Sequence, residues 1–181
     1  MLAAFFALYC CYNWHCIKEL GERIYAELTL PEAKENPAYM GELVIESVGI
    51  DVPCVMVDPA DSELNQRVVH KSNCAAMMWS SKKVITDEIT GTWFIGDHAD
   101  QGFKSITRCV IGDTAFFKNK DGSIQEYVVT ASSEGCNENS ILTYKGESIL
   151  EDNLGGIILY TCLDSTGIPV YIVYLQPESS Q

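Results

Sequence analysis

The chain has 181 residues, 47% hydrophobic and 20% charged, enough for one well-buried domain and an appendage. That balance excludes a disordered or low-complexity chain. A net charge of −13, with no Lys/Arg cluster, excludes the basic footprint of nucleic-acid binding, and no nucleic-acid partner is expected.

Met1 to Tyr12 is an unbroken apolar run, Met-Leu-Ala-Ala-Phe-Phe-Ala-Leu-Tyr-Cys-Cys-Tyr. It falls short of the ~20 residues that a spanning helix needs. It has neither a basic flank nor a small-residue cleavage site, so it makes a poor signal peptide as it stands. It reads as the outer part of a membrane anchor; the competing reading is an apolar helix docked on the domain or a partner. From Asn13 to Leu30, Trp14, Ile17, Leu20, Ile24 and Leu28 recur at steps of three and four, with Lys18, Glu19, Glu22 and Arg23 between them. This predicts an amphipathic helix continuing out of the run and stopped by Pro31. Residues 1–30 are therefore expected as an N-terminal helix and partial anchor. Residues 31–40, polar and proline-flanked, are expected as a linker.

From Tyr39 the pattern is that of strands. Leu43-Val44-Ile45 and Ile50 to Val57 suggest two strands around a tight turn at Gly49. Ser62 to His70 suits a short helix, with His70, beside Lys71, read as a solvated surface residue. Asn73 to Trp79 is small and apolar, and 80–91 is polar and expected as a loop. Thr92-Trp93-Phe94-Ile95 is the next strand, ended by Gly96-Asp97-His98; a helical turn is expected near Gly102 to Ile106. Asn119-Lys120-Asp121-Gly122 is a hairpin signal between Thr114–Phe117 and Ile124–Thr130, because Asp-Gly tolerates positive φ. Residues 132–154 are expected as a long connection with a helical turn near Ile149. Two strands close the chain, Ile157 to Cys162 after Gly155-Gly156, and Val170 to Leu175, before a polar tail at 177–181. Many short strands with few helices predict a mainly β fold, a closed or nearly closed barrel, over 41–176.

Eight cysteines stand at 10, 11, 16, 54, 74, 109, 136 and 162, without a Cys-x-x-Cys pair. They read as reduced, mostly buried thiols; no metal or cofactor is expected. Two strand ends carry reactive groups, His98 and Cys162. A thiol becomes a useful nucleophile when a base lies beside it, and histidine is the natural base near neutral pH.

Leu159-Tyr160-Thr161-Cys162 resembles the Leu-x-Thr-Cys signature of sortases, the cysteine transpeptidases of Gram-positive cell surfaces. Phe94-Ile95-Gly96-Asp97-His98, followed by Gly102-Phe103 and Ile111-Gly112-Asp113, is similar to the sortase stretch around its catalytic histidine, with Asp97 set between the glycine and the histidine. Leu64-Asn65, Asn73 and Ala75-Ala76 resemble class B members. The resemblance implies an eight-stranded sortase-type β-barrel with short helices and an N-terminal membrane anchor. It further implies an active site on the extracellular face, with Cys162 and His98 catalytic and Thr161 supporting. The implied partners are a surface-protein sorting-signal peptide, an amine of a peptidoglycan precursor or a pilin, and the membrane, with the protein itself a monomer. Sortases also carry an arginine at the start of the last strand. Here Gly167 to Ile172 holds none and no arginine follows Arg108, which leaves Arg67 and Arg108 as candidates for that role.

Overall fold

A computed structural model describes residues 2–85, 88–138, 141–144, 147–148, 155–164 and 166–178, with side chains described for 16–79, 91–137, 155–164 and 166–178. The described elements are α1 (Leu2–Thr29), β1 (Tyr39–Ile45), β2 (Ile50–Met56), α2 (Ser62–His70), β3 (Ala75–Ile85), β4 (Glu88–Gly96), β5 (Thr114–Asn119), β6 (Ile124–Glu138), β7 (Ile141–Tyr144), β8 (Glu147–Ser148), β9 (Ile157–Cys162) and β10 (Pro169–Pro177). The strand order is β10-β9-β4-β3-β2-β1-β5-β6, and β10 also pairs with β6, so these eight strands close on themselves. The mainly β, eight-stranded closed barrel expected from the sequence is the fold. β7 and β8 extend the sheet outward from β6.

Most pairings are antiparallel, but β2–β3 and β4–β9 are parallel. A parallel pair needs a long crossover. Between β2 and β3 that crossover is α2, capped by the Asp61 side chain, which accepts from the Leu64 N–H at 2.9 Å. Val68 of α2 is sealed against the outside of the barrel with Val55, Val57, Cys74 and Ala76. The barrel interior is filled by Leu43, Ile45, Val52, Ile95, Phe103, Ile157, Leu159 and Val173, among others.

β9 is apolar on both faces, and the two faces do different work. Ile157 and Leu159 point into the barrel, whereas Ile158 joins Phe94, Val170 and Ile172 in a separate cluster outside it. Tyr160 and Cys162 pack against that outer cluster. The aliphatic run is thus a strand covered on both sides, and the thiol sits on its outer face.

Several expectations are corrected. Residues 80–85 and 88–91 are not a loop: they belong to the long antiparallel pair β3–β4, whose register runs from Ala76↔Gly96 to Ile85↔Glu88. Thr and Ile at 89–92 supply the β-branched residues that a paired edge favours over a free loop. Within 132–154 the described residues are strand rather than connection: β6 continues to Glu138, its residues up to Cys136 pair with β10, and β7 and β8 follow. The turn expected near Ile149 lies outside the described residues. Cys136, expected in a loop, therefore lies in β6 opposite Pro169. The hairpin at Asn119–Gly122 is present, with Gly122 at φ 87° and the Ser123 N–H bonded to Asp121 Oδ1 at 2.9 Å. In the 31–40 segment, Ala33 begins a short 3-10 turn and is buried against the α2 cluster.

The N-terminal helix is present, and the structure adds which of its faces docks. Its apolar stripe does not face the barrel: Ile17, Leu20, Ile24 and Leu28 are all more than half exposed. The docked face is mostly polar, around the fully buried Ala26. Arg23 reaches Asp100 at 3.0 Å; Glu27 accepts from the Ser72 N–H at 2.7 Å and meets Lys71 Nζ at 3.2 Å. Lys71 is buried, held between Glu27 and Glu32, and His70 is buried as well. His70 is thus not the solvated residue expected; α1 covers what would otherwise be the open side of both. Among the described residues no helix is long and apolar enough to cross a membrane.

Candidate active site

The parallel pairing of β4 with β9 decides the site. Its register matches Trp93 with Ile157, Ile95 with Leu159 and Gly96 with Tyr160. Both strands therefore end at the same end of the barrel, one beside the other. Continuing that register two residues past Gly96 and Tyr160 sets position 98 beside position 162. The chain keeps to it as far as Asp97 and Thr161: the Asp97 N–H reaches Tyr160 O at 3.4 Å, and Thr161 Oγ1 donates to Asp97 O at 2.7 Å. Thr161 is fully buried, so this bond fastens the loop after β4 to the last turn of β9.

A cleft of about 530 Å³ opens here, and Asp97, His98, Thr161 and Cys162 all line it. All three residues singled out in the sequence thus come together. The opposite wall is α2, which presents Ser62, Asn65, Gln66 and Val69. Those positions follow the i, i+3, i+4, i+7 spacing of one helical face. Met78, Trp79, Phe94 and Tyr160 give the cleft an apolar side, and the Trp79 and Trp93 rings pack at 4.6 Å. Gly96 is required by close approach: a Cβ there would lie 2.6 Å from the Tyr160 ring.

Burial pushes the Cys162 thiol above its ordinary value, and the nearby Asp164 carboxylate pushes in the same direction. Asp164 is held in the turn before β10 by the Thr166 N–H and hydroxyl. A Cβ at Gly167 in that turn would lie 3.8 Å from Cys162 Sγ. Burial, helped by His70 and Arg23, lowers the His98 imidazole. At neutral pH the pair is therefore a thiol and a neutral imidazole rather than a thiolate and an imidazolium.

Asp97 takes the first position after Gly96, and adjacent positions of an extended chain face opposite ways. Its carboxylate is buried, with Oδ1 accepting from the His98 N–H at 2.7 Å. Oδ2 has no hydrogen-bond partner among the described residues. Burial drives this carboxyl up to about 7, with the bond from His98 N pulling the other way. His98, one position on, turns toward α2: its Nε2 lies 3.2 Å from His70 Nδ1, with the rings 5.0 Å apart.

The arginine candidates lie elsewhere. Arg67 stacks over the Tyr25 ring at 5.4 Å and donates to Thr29 Oγ1 at 3.3 Å, so it is engaged by α1. Arg108 is exposed in the 3-10 turn Ile106–Arg108. At the start of β10 the register partner of Cys162 is Val170, which is fully buried. Sequence reasoning also missed His70, Asp97 and the α2 face. The 62/65/66/69 spacing was visible in the chain, but nothing local marked His70 as buried.

No protein-family model and no curated protein sequence matches the chain. Solved structures do. Sortase E1 from Streptomyces coelicolor, with a tripeptide in its active site, aligns with a TM-score of 0.54 at 14% identity, over 78% of this chain and 88% of that one. The sortase D5 transpeptidase of Clostridium perfringens gives 0.52 at 14% identity, over 78% and 79%. Sortase C1 of Streptococcus agalactiae gives 0.53 at 11% identity, over 92% and 90%. The fold is the sortase fold.

Proposed function

We propose that this is a sortase-type cysteine transpeptidase with Cys162 as nucleophile and His98 as acid and base. The observation that carries the reading is the Gly96↔Tyr160 register, which sends both residues into one cleft. Class B is the nearer class on the strength of Leu64-Asn65, Asn73 and Ala75-Ala76.

In the first half-reaction Cys162 Sγ bonds to the carbonyl carbon of a sorting-signal peptide and its proton passes to His98. The tetrahedral intermediate collapses, the C–N bond breaks, and His98 returns the proton to the leaving amine. A thioester remains on Cys162. An incoming amine, from a peptidoglycan precursor or a pilin, then attacks, gives a proton to His98, and displaces the thiol, which takes that proton back. Thr161 supports these steps by fastening the loop that carries His98. The apolar wall of Met78, Trp79 and Phe94 suits the body of a peptide. The protein works as a monomer on the outer face of the cell membrane, attached through a segment that includes residues 1–12.

A second reading follows from Val170 beside Cys162. Losing one oxyanion donor typically slows such chemistry about 100- to 1000-fold. A cleft without a cation at that position would bind the peptide and turn it over poorly, as a sortase-fold receptor at the cell surface. Intact-mass analysis after incubation with sorting-signal analogues separates the two. The enzyme reading expects a mass adduct on the wild type that vanishes in Cys162→Ala and His98→Ala. Binding without any adduct across a panel of signals sinks it in favour of the receptor.

A further inference from the structure

We propose that His70 is a positioning residue of the site, and that Glu22 on α1 acts through it to fix which nitrogen of His98 carries the proton. The proposal rests on His98 being the acid/base group of the proposed reaction.

Glu22 Oε2 lies 3.3 Å from His70 Nε2, on the side of the ring away from His98, at ion-pair distance but without the alignment of a hydrogen bond, so its influence on the ring is electrostatic. His70 Nδ1 lies 3.2 Å from His98 Nε2. Two ring nitrogens at that separation need one N–H and one lone pair between them. The Glu22 carboxylate favours the proton on the His70 nitrogen next to it, Nε2. Neutral His70 then offers a lone pair at Nδ1, and His98 must supply the N–H from its own Nε2. His98 Nδ1 is left unprotonated, able to take a proton from a thiol or an amine. A carboxylate that orients a histidine in this way is a general device of active sites. Here it acts through one intervening ring.

The surroundings leave Glu22 as the carboxylate in contact with the pair. Glu19 and Asp100 are both bonded to Arg23, at 2.8 Å and 3.0 Å. Asp97 Oδ1 is bonded to the His98 backbone rather than its ring. His70 is almost fully buried, so the ring cannot trade His98 for water.

Glu22 belongs to α1, outside the barrel. The protonation pattern of the site therefore depends on α1 being seated, and the Arg23–Asp100 and Glu27–Lys71 contacts that seat it become part of the site's control. A helix that lifted from the barrel would take away the carboxylate beside His70 Nε2 and, with it, the bias on the tautomer of His98.

The test is nitrogen-resolved NMR of the full-length chain labelled in histidine, followed through a pH titration. The wild type should show His98 as a single tautomer with the proton on Nε2. Glu22→Gln should mix the tautomers of both rings. His70→Phe keeps a stacked ring but no nitrogen, and it should abolish the His98 preference and raise its midpoint. Wild-type tautomer and midpoint for His98 in both variants would overturn the proposal. If His70→Phe does not fold, Glu22→Gln decides alone, since the Glu22 side chain is 43% exposed and carries little of the fold. These signals need no turnover. Absence of an adduct on Cys162 would strike the transpeptidase reading and leave the histidine coupling standing; unchanged tautomers with a normal adduct would do the reverse.

Discussion

The two walls of the cleft are held by opposite chemistry. On the barrel side, β4 and β9 are fixed by backbone pairing and by aliphatic residues covered on both faces. On the other side, α2 rests on a small apolar cluster, and α1 lies over it through ion pairs and hydrogen bonds, with its own apolar stripe turned outward. The first wall is rigid because opening it exposes core. The second costs far less to open, because charged contacts near the surface exchange readily with water. Cys162 is mounted on the rigid wall; His98 is tied to both, through Thr161 and Asp97 on one side and His70 on the other.

The sharpest way to break the rigid wall is Leu159→Ala. Leu159 is fully buried inside the barrel one residue before Tyr160, so truncation should cost about 2–5 kcal/mol of global stability. Chemical denaturation reads this as a lower midpoint with an unchanged slope; a change under about 1 kcal/mol would mean the interior is not packed as described.

Asp97 tests the junction of the walls. Its folded value is raised from 3.8 to about 7, so the folded state binds its proton more tightly than the unfolded chain. That stability is fully present below about pH 4 and is lost as pH rises through about 7. Asp97→Asn should therefore be neutral near pH 4 and stabilising near pH 8, by up to about 4 kcal/mol. Thermal melts of both proteins across this range should diverge upward. Parallel curves would show that the carboxyl titrates as an ordinary surface group.

The smallest effect is expected at the loose wall. Glu27→Gln weakens the grip on Ser72 and Lys71, while Glu32 still pairs with Lys71. About 1 kcal/mol of local stability should go, seen as roughly fivefold faster amide exchange across 16–29 with the barrel amides unchanged. Global unfolding of the same size would mean that α1 and the barrel form one cooperative unit.

The sequence by itself determined the barrel and the two strand ends that matter. Ile157 to Cys162 is aliphatic enough to be covered on both faces, Gly96 stops β4 beside it, and the Asp-Gly turn joins β5 to β6; each is a local property of spacing or side-chain type. Even the face of α2 that lines the cleft was readable from positions 62, 65, 66 and 69. Tertiary structure alone decided the rest. The apolar stripe of α1 marked an amphipathic helix but not which face would dock; the surface beneath it offers His70, Lys71, Ser72 and Asp100, which only charged and hydrogen-bonding partners can satisfy. His70 lies next to a lysine at a helix end and looks solvated until a segment some fifty residues earlier closes over it. Asp97 looks like a turn residue until the β4–β9 pairing buries it. Periodicity records which residues prefer to leave water. Which polar groups are forced to leave together depends on the elements that meet over them, and that is a property of the closed fold.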